Sequence, residues 1–308
     1  MGSPLTSAGN TRLLDSLLDE VFFMNHGADL DENIQTCFNV KTSSKAWEEL
    51  FGMGDVPDFS EFLGTISYSA VYPGYHTKVT HKEYANGIQV ERKLLDDDQY
   101  DVIKGRGARL GESARRSKEK EGVKFLTNSF SNVFDFMTSE EGVSLCNDSH
   151  TTKAAGVSTS TGFDNSGTTA FSATAVEATR IAGNKFRSDI GERIDMNLDT
   201  LILPDALYES GWELIKSAGK VDTADNNRNF HKGRYNLLIY KRLDDTDSNN
   251  WWMVDYKKMK QCLYWYNRIQ TEFNSTTDFD TFIRKYAAYY RCSWGFKDWR
   301  WIFGHEVA

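Results

Sequence analysis

The sequence of 308 residues has few cysteines, few prolines and no long apolar run. Its 4 cysteines, Cys37, Cys146, Cys262 and Cys292, form no C-x-x-C pair, and their spacing matches no structural zinc site. The 4 prolines and the absence of low-complexity segments argue against long disordered linkers. No apolar run is long enough to span a bilayer, and residues 1–10 lack the pattern of a signal peptide. We therefore expect free thiols in a soluble protein made in a reducing, intracellular compartment.

The sequence also lacks an excess of basic residues. With 36 Lys and Arg against 44 Asp and Glu, the net charge is −8, which excludes nucleic-acid binding through a generally cationic surface. A local basic patch remains compatible with this charge. Hydrophobic residues make up 40% of the chain and aromatic residues 13%, enough for a large buried core in one large domain or two smaller ones.

Compact catalytic motifs are missing as well: there is no G-x-S-x-G elbow, no P-loop and no H-E-x-x-H. The glycine-rich segment 105–111 has one residue too many for a dinucleotide fingerprint and follows an acidic run. Segment 244–250 imitates a calcium loop but lacks the required glycine and glutamate, which favours a solvated turn. We predict that the protein is not an enzyme and has no catalytic residue, no metal site and no cofactor.

Two groups of residues define an alternative, a hydrolase or a glycan-binding protein. His150 lies near Cys146 in the sequence, although a single His and Cys in a Ser/Thr-rich segment are more often bystanders than a catalytic pair. Trp251, Trp252 and Trp265 could stack on a sugar, but their strand-like spacing favours the core or an interface.

The C-terminal segment 289–304 predicts heavy burial without reactive groups. Large apolar residues alternate on both sides of a short break at 295–298: Tyr290, Cys292 and Trp294 before it, and Trp299, Trp301 and Phe303 after it. Such alternation around a Gly/Asp turn predicts a β-hairpin, and its aromatic side chains need a packed surface against them. We therefore expect the C-terminus to be docked in a sheet.

The first predicted helix covers residues 11–23. Leu14, Leu17, Leu18 and Val21 form one apolar stripe, which is typical of an amphipathic helix. Two interpretations remain open: the helix folds on its own domain, or it is an arm that docks on a neighbouring subunit.

The dipeptide Asn86-Gly87 is a strong hairpin signal, since both residues tolerate the positive φ of a type I′ turn. Both faces of this hairpin are largely polar, and an isolated two-stranded ribbon is marginal in water. We therefore predict an arm that another subunit orders. The candidate inter-subunit residues are His81, Lys82, Glu83, Tyr84, Asn86, Gly87, Glu91 and Arg92.

The rest of the chain mixes helices with consecutive strands, so the fold class is α+β. Residues 99–132 predict a long helix capped by the acidic residues 96–98, with a kinked or irregular start because of its glycines. A Ser/Thr/Gly-rich loop between 146 and 172 leads to a helix capped by Ser172, with Ala175, Val176, Thr179 and Ile181 inward. A helix over 205–217 should pack Leu207, Trp212, Leu214 and Ile215. Strands are predicted at 198–204, 235–240, 251–254, 262–266 and 284–294.

Taken in order, several segments resemble the major capsid proteins of tailed bacteriophages with the Hong Kong 97-type fold, in the phage-Mu-like branch. The likeness covers most of residues 60–308. The segments that carry it are the Asn86-Gly87 hairpin with residues 94–98, the following long helix, and residues 145–150, 201–207, 246–251 and 294–301.

The resemblance implies a role for each region. Residues 1–59 would be the N-terminal arm, and 60–95 an extended E-loop hairpin that lies over the adjacent subunit. Residues 96–184 would form the P-domain with its spine helix, and 185–264 the A-domain with a mixed sheet. Residues 265–308 would return to the P-domain sheet.

The resemblance also implies partners. The protein would assemble in the host cytoplasm into hexamers and pentamers of an icosahedral virion shell around double-stranded phage DNA, without sequence-specific binding. A portal and decoration proteins are possible partners. The N-terminus lacks a long charged helical extension, so a separate scaffolding protein is expected. Lys82 and Asn86 lie on the predicted hairpin, but no motif here indicates the subunit cross-linking of some relatives. An encapsulin-like compartment shell is the alternative with the same fold.

Overall fold

The computed structural model describes residues 7–27, 32–62, 64–66, 68, 70–96, 100–134, 136–219 and 228–308. The α-helices in this part of the chain are α1 (Ser7–His26), α2 (Glu32–Cys37), α3 (Arg92–Asp96), α4 (Tyr100–Thr127), α5 (Ala173–Gly183), α6 (Tyr208–Lys216) and α7 (Tyr256–Cys262), and two short 3-10 helices cover Asp205–Leu207 and Lys241–Asp245. The strands are β1 (Asn39–Thr42), β2 (Trp47–Met53), β3 (Pro73–Thr80), β4 (Lys82–Val90), β5 (Met137–Ser139), β6 (Ser166–Gly167), β7 (Thr200–Leu203), β8 (Asn236–Ile239), β9 (Trp251–Val254), β10 (Leu263–Thr277), β11 (Arg284–Phe296) and β12 (Ile302–His305).

The strands form three sheets, which confirms the α+β class. A four-stranded sheet has the order β1-β10-β11-β4, a five-stranded sheet the order β6-β12-β9-β7-β8, and a three-stranded sheet the order β2-β3-β5. One continuous cluster of buried apolar residues connects all three sheets with α4 and α5.

The long hairpin of β10 and β11 is the centre of the four-stranded sheet. It pairs from Leu263 opposite Phe296 to Thr277 opposite Arg284. The sequence predicts only the first residues of β10, because the later ones are polar and largely exposed. Their strand conformation comes from pairing with β11 rather than from their own apolar pattern.

The predicted hairpin at Asn86-Gly87 is wrong. Both residues lie inside β4, which runs without a turn beside β11 and places Asn86 opposite Ala288 and Gly87 opposite Ala287. A Cβ on Gly87 would lie 2.8 Å from the carbonyl oxygen of Tyr286, so this glycine permits close strand contact. Pairing with a long neighbouring strand outweighs the local turn preference.

The predicted C-terminal hairpin is also wrong, although the predicted burial is confirmed. The strand β11 pairs with β10 and β4, whereas β12 pairs with β9 and β6 in another sheet. The chain changes sheets at residues 297–301, where the side chain of Asp298 accepts hydrogen bonds from the backbone of Trp299 and Arg300. Trp294 and Trp301 are 1% and 0% exposed, so the aromatic pattern predicted burial but not pairing.

The long helix is confirmed as α4, but its predicted irregular start is wrong because the helix is continuous from Tyr100. The acidic cap at 97–98 lies outside the described residues. Gly111 faces α1, and a Cβ there would lie 2.5 Å from the carbonyl oxygen of Phe22. The glycine therefore lets two helices approach closely. Of the two interpretations of α1, the structure shows the first, a helix packed on its own chain, where Phe22 stacks on Phe273 at 4.6 Å.

The predicted elements in the second half are confirmed with two exceptions in side-chain orientation. The side chain of Ser172 accepts a hydrogen bond from the backbone of Ala175 and caps α5. Ile181 and Trp212 were expected to point inward, but they are 44% and 49% exposed. In α5 the buried face is formed by Ala175, Val176 and Thr179, as predicted.

Candidate assembly interface

Residues 47–80, called here the projection, comprise the strands β2 and β3 and the largely exposed connection between them. Its two strands β2 and β3 pair antiparallel, from Trp47 opposite Thr80 to Met53 opposite Pro73. Residues 54–72, as far as the structure describes them, form no helix or strand. Gly54 lies so close to Tyr72 that a Cβ would be 2.0 Å from its carbonyl oxygen, so the two ends of this connection touch through the backbone.

The projection exposes many large apolar side chains. Phe59 and Tyr68 are 106% and 93% exposed. The exposed apolar residues along it are Trp47, Phe51, Val56, Phe59, Phe62, Ile66, Tyr68, Val71 and Tyr72. Apolar area in water is unfavourable by about 25 cal/mol per Å², and soluble monomers rarely keep a contiguous apolar surface of this kind. Contact with another chain would bury it.

The base of the projection is held by the protein's own core. Strand β3 pairs with β5, placing Val79 opposite Met137. Val79 is fully buried, and Gly295 leaves room for it, since a Cβ on that glycine would lie 2.6 Å from the Val79 side chain. The base is therefore fixed to the four-stranded sheet, whereas Phe59 and Tyr68 near the far end are exposed.

A polar cluster ties the base to the loop that follows Cys146. The Glu140 carboxylate accepts hydrogen bonds from Lys153 Nζ at 2.5 Å and from the backbone N–H of His76 at 3.1 Å. Hydrogen bonds from Lys153 and then from His76 lower the pKa of Glu140 to about 2. The hydroxyls of Tyr75 and Thr151 are 2.7 Å apart and complete the connection.

His150, the residue on which the hydrolase alternative depends, is 1% exposed. Its ring stacks on Trp299 with centroids 4.0 Å apart. Its Nδ1 lies 3.1 Å from a carboxylate oxygen of Glu141, and its Nε2 lies 3.1 Å from Oδ1 of Asn165. A substrate could reach this imidazole only by displacing its packing partners, so the geometry suits a structural role.

The cysteines and tryptophans considered as candidate site residues are buried, as His150 is. Burial raises the pKa of Cys146 far above its ordinary value and that of Cys262 to about 12, so neither thiol is an activated nucleophile. Trp251, Trp252 and Trp265 are at most 2% exposed and cannot stack on a sugar.

Among the described residues, no three His, Cys, Asp or Glu side chains come together as a metal site. Within the same residues, no helix combines the length and the apolar character needed to cross a membrane. In segment 244–250 the Asp247 carboxylate accepts from the backbone of Asn249 and Asn250, which confirms the predicted turn.

The candidate inter-subunit residues lie on or beside β4, at one edge of the four-stranded sheet. His81 is 4% exposed and bonded to Ser293 and Ser43 of its own chain, at 2.8 and 3.2 Å. Tyr84 stacks on Tyr290 at 5.1 Å.

The other candidates in this group are mostly exposed: Lys82, Glu83, Asn86, Gly87, Glu91 and Arg92. Glu83 lies 3.4 Å from Arg291 in an exposed ion pair. Their role in contacts between subunits stays a prediction. The sequence predicts no inter-subunit candidate at Phe59 and its exposed neighbours, although a run of aromatics without strand or helix periodicity is an available signal.

The sequence profile of the family described as phage capsid protein matches residues 75–304, most of the chain. The chain belongs to the phage capsid protein family. No curated protein matches this capsid protein in sequence.

Solved capsid structures share its fold at low identity. The capsid of a native GTA particle has a TM-score of 0.58 at 13% identity and covers 91% of both chains. Mycobacterium phage Patience has a TM-score of 0.58 at 10% identity over 98% of this chain and 90% of the other. A virus-like particle from Pyrococcus furiosus has a TM-score of 0.54 at 9% identity over 94% of this chain and 98% of the other.

These likenesses confirm the predicted Hong Kong 97-type fold. Because they include a GTA particle, a phage and a virus-like particle, the fold alone does not show what the shell encloses. The family match favours the virion, and the protein is a shell-forming capsid protein. The predicted phage-Mu-like branch stays a prediction.

Proposed function

We propose that this capsid protein assembles through its projection into hexamers and pentamers of an icosahedral shell that encloses double-stranded DNA. The row of exposed apolar residues between Phe51 and Tyr72 carries this proposal. The partner that buries these residues would be a second copy of the chain. In a shell the same contact is repeated many times, so each copy can bury the projection of one neighbour and have its own projection buried by another.

In this proposal the E-loop is residues 47–80 rather than 60–95. The strands β2 and β3 project, whereas β4 pairs with β11 along its length and belongs to the body. The four-stranded sheet and α4 would form the P-domain. The five-stranded sheet would form the A-domain, with β12 contributed from the C-terminus.

The role is structural rather than catalytic in this proposal, and the burial of His150 and the thiol of Cys146 supports it. The partners would be other copies of the chain, a scaffolding protein, the portal and decoration proteins, with assembly in the host cytoplasm.

The test replaces apolar side chains on the projection with a polar one of smaller size, Phe59→Ser with Phe62→Ser. The matched control is Val133→Ser with Ile181→Ser, two exposed apolar residues outside the projection. Sedimentation velocity and negative-stain microscopy follow assembly, and thermal unfolding follows the fold.

We expect the projection variant to remain folded but to need more than about ten times the protein concentration for rings or shells, since interface aromatics often contribute 2 kcal/mol or more. The control should assemble normally. Normal assembly of the projection variant would refute the proposal. DNA inside the particles would support the virion, whereas protein cargo would support the compartment.

A further inference from the structure

The spine helix α4 is basic in a protein that is acidic as a whole. It carries eight Lys and Arg against four Asp and Glu, while the whole chain has a net charge of −8. The excess of positive charge is therefore local, and its distribution around the helix decides whether it forms a surface.

Half of these basic residues are buried, already paired or away from the main surface. Lys118 is 1% exposed and its ammonium donates to the Thr271 hydroxyl at 2.8 Å. Lys124 lies 2.9 Å from Glu121 in an ion pair. Lys104 is half-buried, and Arg115 is exposed on the opposite side of the helix from Arg106.

The other half forms a row, called here the basic stripe: Arg106, Arg109, Arg116 and Lys120, all exposed. At about 100° and 1.5 Å per residue, they lie within an arc of about 80° and span about 21 Å along the helix axis. Within the described residues none of the four makes an ion pair. Glu112, at the edge of the stripe, pairs with none of them either, and Glu119 is 2.8 Å from Arg242 instead.

The stripe contains no apolar side chain between its first and last residue. Ser113 and Ser117 fill the spaces between the basic residues. Interfaces between protein chains usually have an apolar or aromatic centre, which this surface lacks and the projection has. A row of cations at this spacing fits the phosphates of a duplex, which arginine and lysine contact without reading sequence.

We infer that the basic stripe of α4 binds the phosphate backbone of the enclosed double-stranded DNA and therefore faces the interior of the shell. The inference rests on the proposed function and adds to it the orientation of the subunit. Four phosphate contacts per copy are weak alone, and the acidic remainder of the chain repels DNA. The shell would thus hold its DNA at defined points without trapping it.

The test measures binding of the full-length protein to a fluorescent duplex of about 30 base pairs, by anisotropy between about 50 and 200 mM salt. The stripe variant replaces all four residues: Arg106→Gln, Arg109→Gln, Arg116→Gln and Lys120→Gln. The control variant makes the same change in net charge at four exposed lysines elsewhere: Lys185→Gln, Lys232→Gln, Lys241→Gln and Lys257→Gln.

We expect the logarithm of the wild-type binding constant to fall with the logarithm of salt concentration with a slope of about −3.6, roughly a 100-fold loss over this range. The slope should be near zero in the stripe variant and unchanged in the control. In the double variant Arg109→Gln with Arg116→Gln the slope should be about half of the wild-type value. Circular dichroism checks that each variant is folded.

An unchanged slope in the stripe variant would overturn the inference, as would an equal loss in the control variant, which would assign the effect to net charge. Failed assembly of the stripe variant with unchanged DNA binding would assign the stripe to a contact between copies and would also overturn it. Microscopy of the wild-type protein tests the proposed function separately. Shells that form while the stripe proves unimportant would leave that function intact.

Discussion

The projection and the C-terminal strands are both rich in large apolar side chains, but only the C-terminal strands bury them. Trp294 is 1% exposed, whereas Phe59 is 106% exposed. Each of β11 and β12 has a strand of its own chain on either side, while residues 54–72 form no helix or strand where the structure describes them. An apolar segment therefore indicates that its side chains will be buried, but the chain that buries them depends on which backbone partners are within reach.

The largest expected effect tests the buried side of this comparison. Trp294→Ala should lower the free energy of unfolding by about 3–5 kcal/mol, because it removes a ring packed between Phe38 and Phe136 and leaves a cavity. Phe59→Ala should change it by less than about 0.5 kcal/mol in the unassembled subunit. Denaturant unfolding measures both values. Similar losses in the two variants would mean that the projection packs on its own chain, which would break the comparison.

A smaller effect should come from a buried histidine among the same strands. Burial lowers the pKa of His305 to about 4. Thr179 donates to the carbonyl of Ala175, so its oxygen accepts from Nε2–H of His305, while Nδ1 accepts from the backbone of Thr169. Both ring nitrogens of the neutral histidine therefore have a hydrogen-bond partner, and the ring stacks on Trp251 with centroids 4.1 Å apart.

The unfolded chain binds a proton to this histidine below about pH 6.5, and the folded protein does so only near pH 4. The free energy of unfolding should therefore fall as the pH drops from about 6.5 to 4, by up to about 3 kcal/mol, and level off below. Burial also lowers the pKa of His81 and His231, so the effect of His305 is the difference between the wild type and His305→Gln. Parallel pH profiles of the two proteins would contradict the prediction.

The next effect tests the packing of α1 on α4. Gly111→Ala should lower the free energy of unfolding by about 1–3 kcal/mol, since the new methyl group would meet the backbone of Phe22 in α1. Gly105→Ala is the matched control, because no atom lies within 4 Å of its added Cβ. That substitution should stabilise the helix by up to about 1 kcal/mol. Thermal unfolding measures the stability of both variants. If both substitutions stabilised the protein equally, α1 would not pack on α4.

The smallest effect concerns the base of the projection. Glu140→Gln removes the charge that holds Lys153 and His76. Global stability should hardly change, because the carboxylate is at the surface, where ion pairs contribute little. Hydrogen exchange at the backbone N–H of His76 should become faster. Because the pKa of Glu140 in the folded protein is about 2, this anchor is present at neutral pH and is lost only as the pH falls through about 2. Unchanged exchange would show that β5 alone fixes the base.

Local signals in the sequence predicted much of the fold. The Ser172 cap, the long polar helix and the apolar strands β7 and β9 were all predicted from nearest-neighbour patterns, and they form where expected. These elements are governed by caps, helical periodicity and short apolar runs, which act over a few residues.

Predictions that needed a distant partner failed. Asn86-Gly87 has the local preference of a turn, but β11 offers a full set of hydrogen bonds and keeps β4 extended through it. In the same way, the C-terminal aromatics predicted two strands, yet β11 and β12 pair with strands from distant parts of the chain. The antiparallel pairing of β2 with β3 likewise joins residues that are distant in the sequence, and no local pattern predicts it.

By itself the sequence determined the α+β class, the aromatic burial and the capsid family, because these depend on composition, periodicity and ordered motifs. Only the tertiary structure decided which strands pair and that α1 lies on α4. Pairing is a choice among competing distant partners, and the chosen partner is the one that satisfies the most backbone hydrogen bonds and buries the most apolar surface at once.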